Sequence, residues 1–167
     1  VGWYSYIITE KFLVGGERKE IADTYEDNAK DEYEDHAEWL LERINQLNGD
    51  ISDICSPEDW KTKTTKHPYN KPSFVNGNLI SSEENLNLQI KNELGAIETY
   101  NDLVKYTKDK DPVTYTKAKE ILGDEQEHYQ ELVEHLADIQ HGGSHRILIK
   151  LASKKIGGKM KLIPRNK

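Results

Sequence analysis

Two helical stripes in this chain carry a carboxylate and an imidazole where an apolar residue belongs. Over residues 112–140, Ala118, Ile121, Glu125, His128, Leu132, His135 and Ile139 recur at alternating spacings of three and four, the period of a helix face turned toward a core. Over 17–48 the same rhythm runs through Ala22, Tyr25, Ala29, Glu32 or Tyr33, His36, Leu40, Ile44 and Leu47. Residues three or four apart project from one side of a helix. An acid and an imidazole inside a helical bundle are costly unless paired or bound to a cation. A chain written this way must therefore fold so that those groups find partners in its interior.

Two more stripes complete the pattern. Residues 1–14 repeat Trp3, Ile7, Glu10 and Val14, and Gly15-Gly16 ends the run. Residues 82–108 repeat Leu86, Ile90, Glu93, Ile97, Tyr100 and Val104, with Ser82, Glu83 and Glu84 at the start, as a helix N-terminus favours. Asn48-Gly49 stops the second run, Pro112 suits the first turn of the fourth, and Gly142-Gly143 closes it. Short links join stripes one and two and stripes three and four, which makes each pair an antiparallel hairpin. Between the pairs lies 49–81, rich in Pro, Asn, Ser, Thr and Lys. A helix of ~30 residues is ~45 Å long, so a connection of this length is what crossing such a bundle requires. The expected architecture is all-α: a four-helix bundle over 1–140, two hairpins joined by one long crossover, then a tail over 141–167.

Charge divides the chain in the same place. The net charge is −7, yet eight of the 23 Lys and Arg fall in 141–167, which has no Asp or Glu. That leaves 1–140 with 15 basic and 30 acidic residues. An acidic body is a poor general nucleic-acid binder and a collector of cations. Cys55 is the only cysteine, so no intrachain disulfide forms, which leans toward a reducing, cytoplasmic setting. No apolar run approaches the ~18 residues of a membrane helix.

The hairpins echo each other: EYEDHAEWLLERI (32–44) aligns on its histidine with DEQEHYQELVEHL (124–136). Glu125 with His128 supplies one buried face, Glu32 with His36 a second, and Glu93 a carboxylate from the third helix. Carboxylates and imidazoles converging in a bundle core suit a pair of iron ions, or manganese. Glu32 and His36 are four apart, and a one-residue π-bulge near 32–36 would restore the phase of the stripe. Asp35 is an alternative oxygen donor, through Glu32-x-x-Asp35. If the first helix repeats the third, Tyr6 matches Tyr100, and the acid matching Glu93 falls two residues before Val1. The opening VGWYSY, with neither Met nor cap, reads as the inside of a helix.

On these residues the chain resembles the ferritin-like superfamily, specifically bacterioferritins and Dps-like proteins with a bacterioferritin-type site. DHAEWLLERINQLNG (35–49), NELGAIETY (92–100) and ILGDEQEHYQELVEHLADIQ (121–140) are similar to its second, third and fourth helices. The resemblance implies a di-iron ferroxidase that oxidises Fe(II) with peroxide or dioxygen for iron storage and oxidative-stress protection. It also implies a homo-oligomeric shell, with a dodecamer favoured. Glu93, Glu125, His128 and His36 sit at matching ligand positions; the family's Glu-x-x-His is departed from on the second helix, where Tyr33 stands three before His36. No haem is expected, because Glu34 occupies the methionine place. Gly95 stands where a cysteine-bearing Dps-like subgroup has a partner for a second cysteine. The rival readings are a rubrerythrin-like peroxidase or manganese catalase that stores nothing, and a non-catalytic scaffold acting through its tail. Residues 144–167 would serve as a DNA-contacting arm, an anionic-membrane contact or a docking peptide; KKIGGKMKLI resembles peptides that load ferritin-like cargo into encapsulin shells. His135 reads as a satisfied core or surface histidine, Glu10 as marking a bundle end, an entry path or a surface pair, and Trp3, Tyr6, Trp39 and Tyr100 as packing residues. His67, His141 and His145 carry no assignment.

Overall fold

The structure is a computed structural model that describes residues 2–11, 13, 18–50, 74–75, 78–79 and 81–141. In order these are α1 (Gly2–Glu10), α2 (Arg18–Lys30), a π-helical segment (Asp31–Ala37), α3 (Glu38–Gln46), the two-residue strands β1 (Phe74–Val75) and β2 (Asn78–Leu79), α4 (Ser82–Thr107) and α5 (Pro112–Gln140). The strands pair antiparallel, Phe74 with Leu79 and Val75 with Asn78, inside the stretch expected as crossover. The tail beyond His141, most of 49–81 with Cys55 and His67, Gly15-Gly16, Val14, the Trp3 side chain, His145 and Met160 lie outside the described residues.

The architecture is the expected helical bundle. α1 packs chiefly on α2, and α4 on α5. The α4–α5 link is short because Thr107 O accepts from both Lys110 N and Asp111 N, and Asp111 then caps α5 by accepting from Val113 N and Thr114 N, with Pro112 next. The α4 cap is Ser81, one residue earlier than the sequence suggests. Its hydroxyl accepts from Glu84 N at 3.0 Å and donates to the Glu84 carboxylate at 3.1 Å, so the N-cap serine satisfies one of the free N–H groups of the first turn. The second long helix ends as its Asn-Gly predicts. Asn48 takes φ 57°, Asn48 N donates to Asn45 O, and Gly49 N donates to Ile44 O at 2.8 Å, a Schellman pairing. A Cβ on Gly49 would meet Ile44 Cγ2 at 2.7 Å, so glycine is needed there for close approach.

The π segment occurs where the Glu32–His36 spacing calls for it. Its signature is Glu38 N–H donating to Tyr33 O, five residues back. One extra residue is absorbed there. Tyr25 and Ala29 before it, and the half-buried Leu40 and Ile44 after it, thereby stay on the inward side with His36. The main apolar cluster joins Tyr6, Leu13, Ile21, Tyr25, Ala29, Leu86 and Leu132, with Ile90, Leu136 and Ile139 against it. It fills the end of the bundle where α2 and α4 begin and α5 finishes. At the other end Arg43, on α3, donates from Nη2 to both Asp111 oxygens at 2.9 Å and from Nε to Thr114 Oγ1 at 3.0 Å, tying the two hairpins together.

The expected stripe of the first helix is corrected. Ile7 is 42% exposed, and the buried residues are Ser5, Tyr6, Thr9 and Leu13. The period is right but the phase is turned, because the hydroxyls of Ser5 and Thr9 accept from Gln89 Nε2 at 2.8 and 3.2 Å, and Asn92 Nδ2 donates to Gln89 Oε1. A satisfied polar seam replaces apolar packing between α1 and α4. Likewise Leu47 points outward, and Ile21, absent from the expected stripe, is fully buried.

The π segment yields a direct test. Deleting exposed Glu34 converts a π turn to an α turn and leaves both flanks in register, so the variant keeps a cooperative thermal transition within a few degrees of the parent. Deleting exposed Glu26 from the regular part of α2 rotates everything before it by about 100°, and the transition collapses. Circular dichroism melts check both, and equal damage from the two deletions contradicts the account.

Candidate metal centre

The middle of the bundle gathers the residues singled out by their spacing. Glu32 and His36 come from the π segment, Glu93 from α4, and Glu125 and His128 from α5. Glu32, Glu93, Glu125 and His128 each offer one ligand atom, all within 4.8 Å of one another. His36 stands beside them, Nδ1 at 3.3 Å from Glu125 Oε1 and 3.8 Å from Glu32 Oε1. Its ring is 6.1 Å from that of His128, centroid to centroid. All but Glu32 are buried. Asp35, the alternative donor, is instead half exposed and held by Lys117 Nζ at 2.7 and 2.9 Å.

Hydrogen bonding inside the cluster is incomplete. Both carboxylate oxygens of Glu125, Glu93 Oε2, and Nδ1 of both His36 and His128 are buried without an aligned hydrogen-bond partner among the described residues. The short His36–Glu125 approach is therefore an electrostatic contact. Orphaned buried acceptors cost of order 1–3 kcal/mol each, more when charged, and native interiors keep few of them. Here five atoms of hard oxygen and imidazole nitrogen face one another. That donor set is the one Fe and Mn accept.

Protons balance the charge when no cation is bound. Burial, helped by the Glu125 charge, holds Glu93 well above the usual carboxylate range. Burial also raises Glu125, with the His36 contact opposing and the Glu32 charge adding. Burial would raise Glu32 too, but its ion-pair contact with His36 outweighs it and the net shift is downward. For His36, burial disfavours the charged ring, yet its contacts with Glu125 and Glu32 prevail and push it up to about 10.

Tyr6 and the two aspartates Asp31 and Asp124 were not legible as parts of the site. The Tyr6 hydroxyl donates to Glu93 Oε1 and accepts weakly from Asn28 Nδ2 at 3.5 Å, so Tyr6 is more than a packing residue. Asp124 Oδ2 lies 3.3 Å from His36 Nε2, and Asp31 Oδ2 lies 3.3 Å from His128 Nε2. The available signal was the position of the two aspartates, each directly before a glutamate of the cluster. Tyr100 packs edge-on against His36 with centroids 6.2 Å apart. Of the two places open to His135, core or surface, it takes the core, its Nε2 at 2.8 Å from Thr24 Oγ1. Glu10 pairs with Lys11. His141 is exposed.

A helical bundle whose two hairpins place carboxylates and imidazoles around a buried centre defines a class of metal-handling proteins, and the comparisons with known proteins agree. Residues 3–141 match the ferritin-like domain of the ferritin family, and the chain belongs to that family. Among solved structures it is similar to a dodecameric thioferritin, the bacterioferritin-related protein from Bacteroides fragilis: 28% identity, TM-score 0.75, covering 86% of this chain and 80% of that one. No curated protein matches the chain.

The proton inventory fixes how the cation-free protein responds to pH. His36, raised from 6.5 to about 10, contributes stability that is complete below 6.5 and lost as pH climbs through about 10. Glu93 and Glu125 retain protons in the fold that the unfolded chain releases near 4.5, so they too withdraw stability as pH rises above that value. Glu32, shifted down, acts oppositely and matters only as pH falls below 4.5. Chelator-treated protein should therefore melt at progressively lower temperature from about pH 6 to about pH 9. Added divalent cation displaces these protons, so the rise in Tm on adding it should grow over the same range. A Tm that is flat in chelator contradicts this inventory.

Proposed function

We propose that the protein is a di-iron ferroxidase. Its substrate is Fe(II), its oxidant is peroxide or dioxygen, and its role is iron storage with protection against oxidative damage. The observation carrying the reading is the buried convergence of Glu32, Glu93, Glu125 and His128 within 4.8 Å, with His36 alongside and the facing oxygen and nitrogen atoms unpartnered. Membership of the ferritin-like family supports it.

Each residue has a definable task. Glu93 and Glu125 hold Fe(II) from the two helices of one hairpin, α4 and α5, and Glu32 adds an oxygen from the π segment of the other. His36 and His128 each contribute Nδ1. A bound pair of Fe(II) ions supplies two electrons, which reduce one peroxide to water with two protons. The site's own protons, on His36 and the raised carboxyls, leave as Fe(II) binds. Tyr6 fixes the Glu93 carboxylate and blocks one of its oxygens from turning away. Tyr100 and the buried Ile121 and Ala118 limit water on one side. On the other, the carboxylates of Asp27, Asp31, Asp124, Glu127 and Glu131 line an open cavity of about 220 Å³ that reaches His128, which draws cations inward.

Storage needs an enclosed volume, and the likeness to a dodecameric bacterioferritin-related protein supports a homododecamer. Cytoplasmic residence, in the open or inside a protein shell, is part of the same proposal.

Anaerobic Fe(II) titration followed by peroxide or dioxygen tests the reading. The parent chain should take up two Fe(II) per subunit, oxidise them within the mixing time of a stopped-flow instrument, and elute as a particle of twelve chains. Glu125→Ala should lose both uptake and oxidation while keeping its helical content. Uptake that survives Glu125→Ala, or iron oxidised no faster than in buffer, would falsify the assignment. Oxidation by a small, non-storing assembly would move it to the peroxidase class.

A further inference from the structure

His36 stands between two sets of carboxylates. Its Nδ1 faces inward, 3.3 Å from Glu125 and 3.8 Å from Glu32, and is buried without an aligned partner among the described residues. Its Nε2 faces outward toward Asp124. On that outer side Asp35, Asp124 and the ring itself offer ligand atoms within 4.8 Å of one another. Two carboxylate oxygens and an imidazole nitrogen at this spacing are chemically as apt for Fe or Mn as the inner donors. The two sets share one histidine, so a metal held outside would compete with the centre for it.

Lys117 distinguishes the two sides. Its Nζ lies 2.7 and 2.9 Å from the two Asp35 oxygens and 3.7 Å from Glu120 Oε2. With both oxygens engaged, Asp35 has no free ligand atom while the ammonium is there. The Lys117 side chain is only 17% exposed although Asp35 and Glu120 are 51% and 60% exposed, which is low for a lysine. Its stem lies along the protein and its charge is delivered to one point. Lys119, two residues on, instead extends over the Tyr115 ring. The cavity that reaches His128 is lined by no Lys or Arg, so cations meet an open acidic approach there and a resident positive charge at Asp35.

We propose that Lys117 is a specificity-determining residue, a tethered cation that fills the Asp35–Asp124 position and keeps metal off the outer side of His36. The imidazole is thereby reserved for the buried centre. The inference rests on the two-metal reading for what His36 is reserved for, but its test counts only the ion that Lys117 excludes. A lysine that merely ties α5 to the π segment would lower thermal stability when replaced and leave the metal count unchanged, and partly exposed pairs of this kind stabilise a fold little.

Mn(II) is titrated anaerobically into the full chain, and bound ion is counted from the loss of the aqueous Mn(II) resonance in electron paramagnetic spectra. Lys117→Met, which keeps the apolar stem, and Lys117→Gln should each bind one more Mn(II) per chain than the parent. Lys117→Arg, which keeps the charge, should bind the parent number. Adding Asp35→Asn to Lys117→Met should return the count to that of the parent. Lys119→Met removes a positive charge from the same helix and should leave the count alone. Parent counts in both Lys117→Met and Lys117→Gln overturn the inference, as does an equal gain in Lys119→Met or a gain that survives Asp35→Asn. A parent that binds no Mn(II) beside a Lys117→Met that binds one removes the two-metal reading and leaves the excluded ion standing. No binding in either removes both.

Discussion

The constraint from which the rest of the structure follows is the burial of Glu93 and Glu125 with oxygens that no aligned donor among the described residues reaches. A lone ionised carboxylate in an apolar interior is prohibitively costly, so the fold has to place cations or protons against them. His36 supplies one positive charge from the π segment, where its contacts with Glu125 and Glu32 outweigh its own burial. Tyr6 supplies a hydroxyl from α1. These partners come from two different helical elements and face carboxylates on two more, and only a bundle of near-parallel long helices can bring them to one level. The apolar cluster is correspondingly displaced to one end, leaving the middle to polar groups.

A core interrupted in this way must be held by something besides apolar area. The ladder from Ser5 and Thr9 through Gln89 to Asn92 joins α1 to α4 with every link satisfied. The Arg43 fork on Asp111 and Thr114 closes the opposite end. Hydrogen bonds of this sort contribute about 0.5–1.5 kcal/mol each, and up to about 3 where a charge is involved. Their larger effect is on geometry. They fix the axial position of α1 and of α5 relative to the other hairpin, and so the height at which Tyr6, Glu93, Glu125 and His128 meet.

The α5 stripe was legible almost completely, because a long regular helix packed along one side writes its burial into a 3.6-residue period: six of its seven positions are buried and Ile139 is half-buried. The π segment was legible for a related reason. Two stripes that are individually in phase, with one residue too many between them, leave a local π turn as the remedy. The phase of α1 was not legible. Periodicity reports where apolar residues fall, but Ser5 and Thr9 are buried because Gln89 on a helix more than 80 residues away satisfies them. The roles of Tyr6, Asp31 and Asp124 were hidden for the same cause. Each is defined by a partner on another element, and a spacing rule sees only its own helix.

The π segment also bears on how sites of this kind are recognised. A single inserted residue in a long helix normally rotates one end against the other and scrambles whatever the helix carries. Here Asp31–Ala37 takes up the extra residue as a local loop in the winding, so neither flank is turned out of register. The visible trace is a half-site written with four-residue spacing beside a partner written with three. A pattern scan demanding two copies of Glu-x-x-His would recover the α5 copy and pass over its counterpart, although both histidines stand beside Glu32 and Glu125.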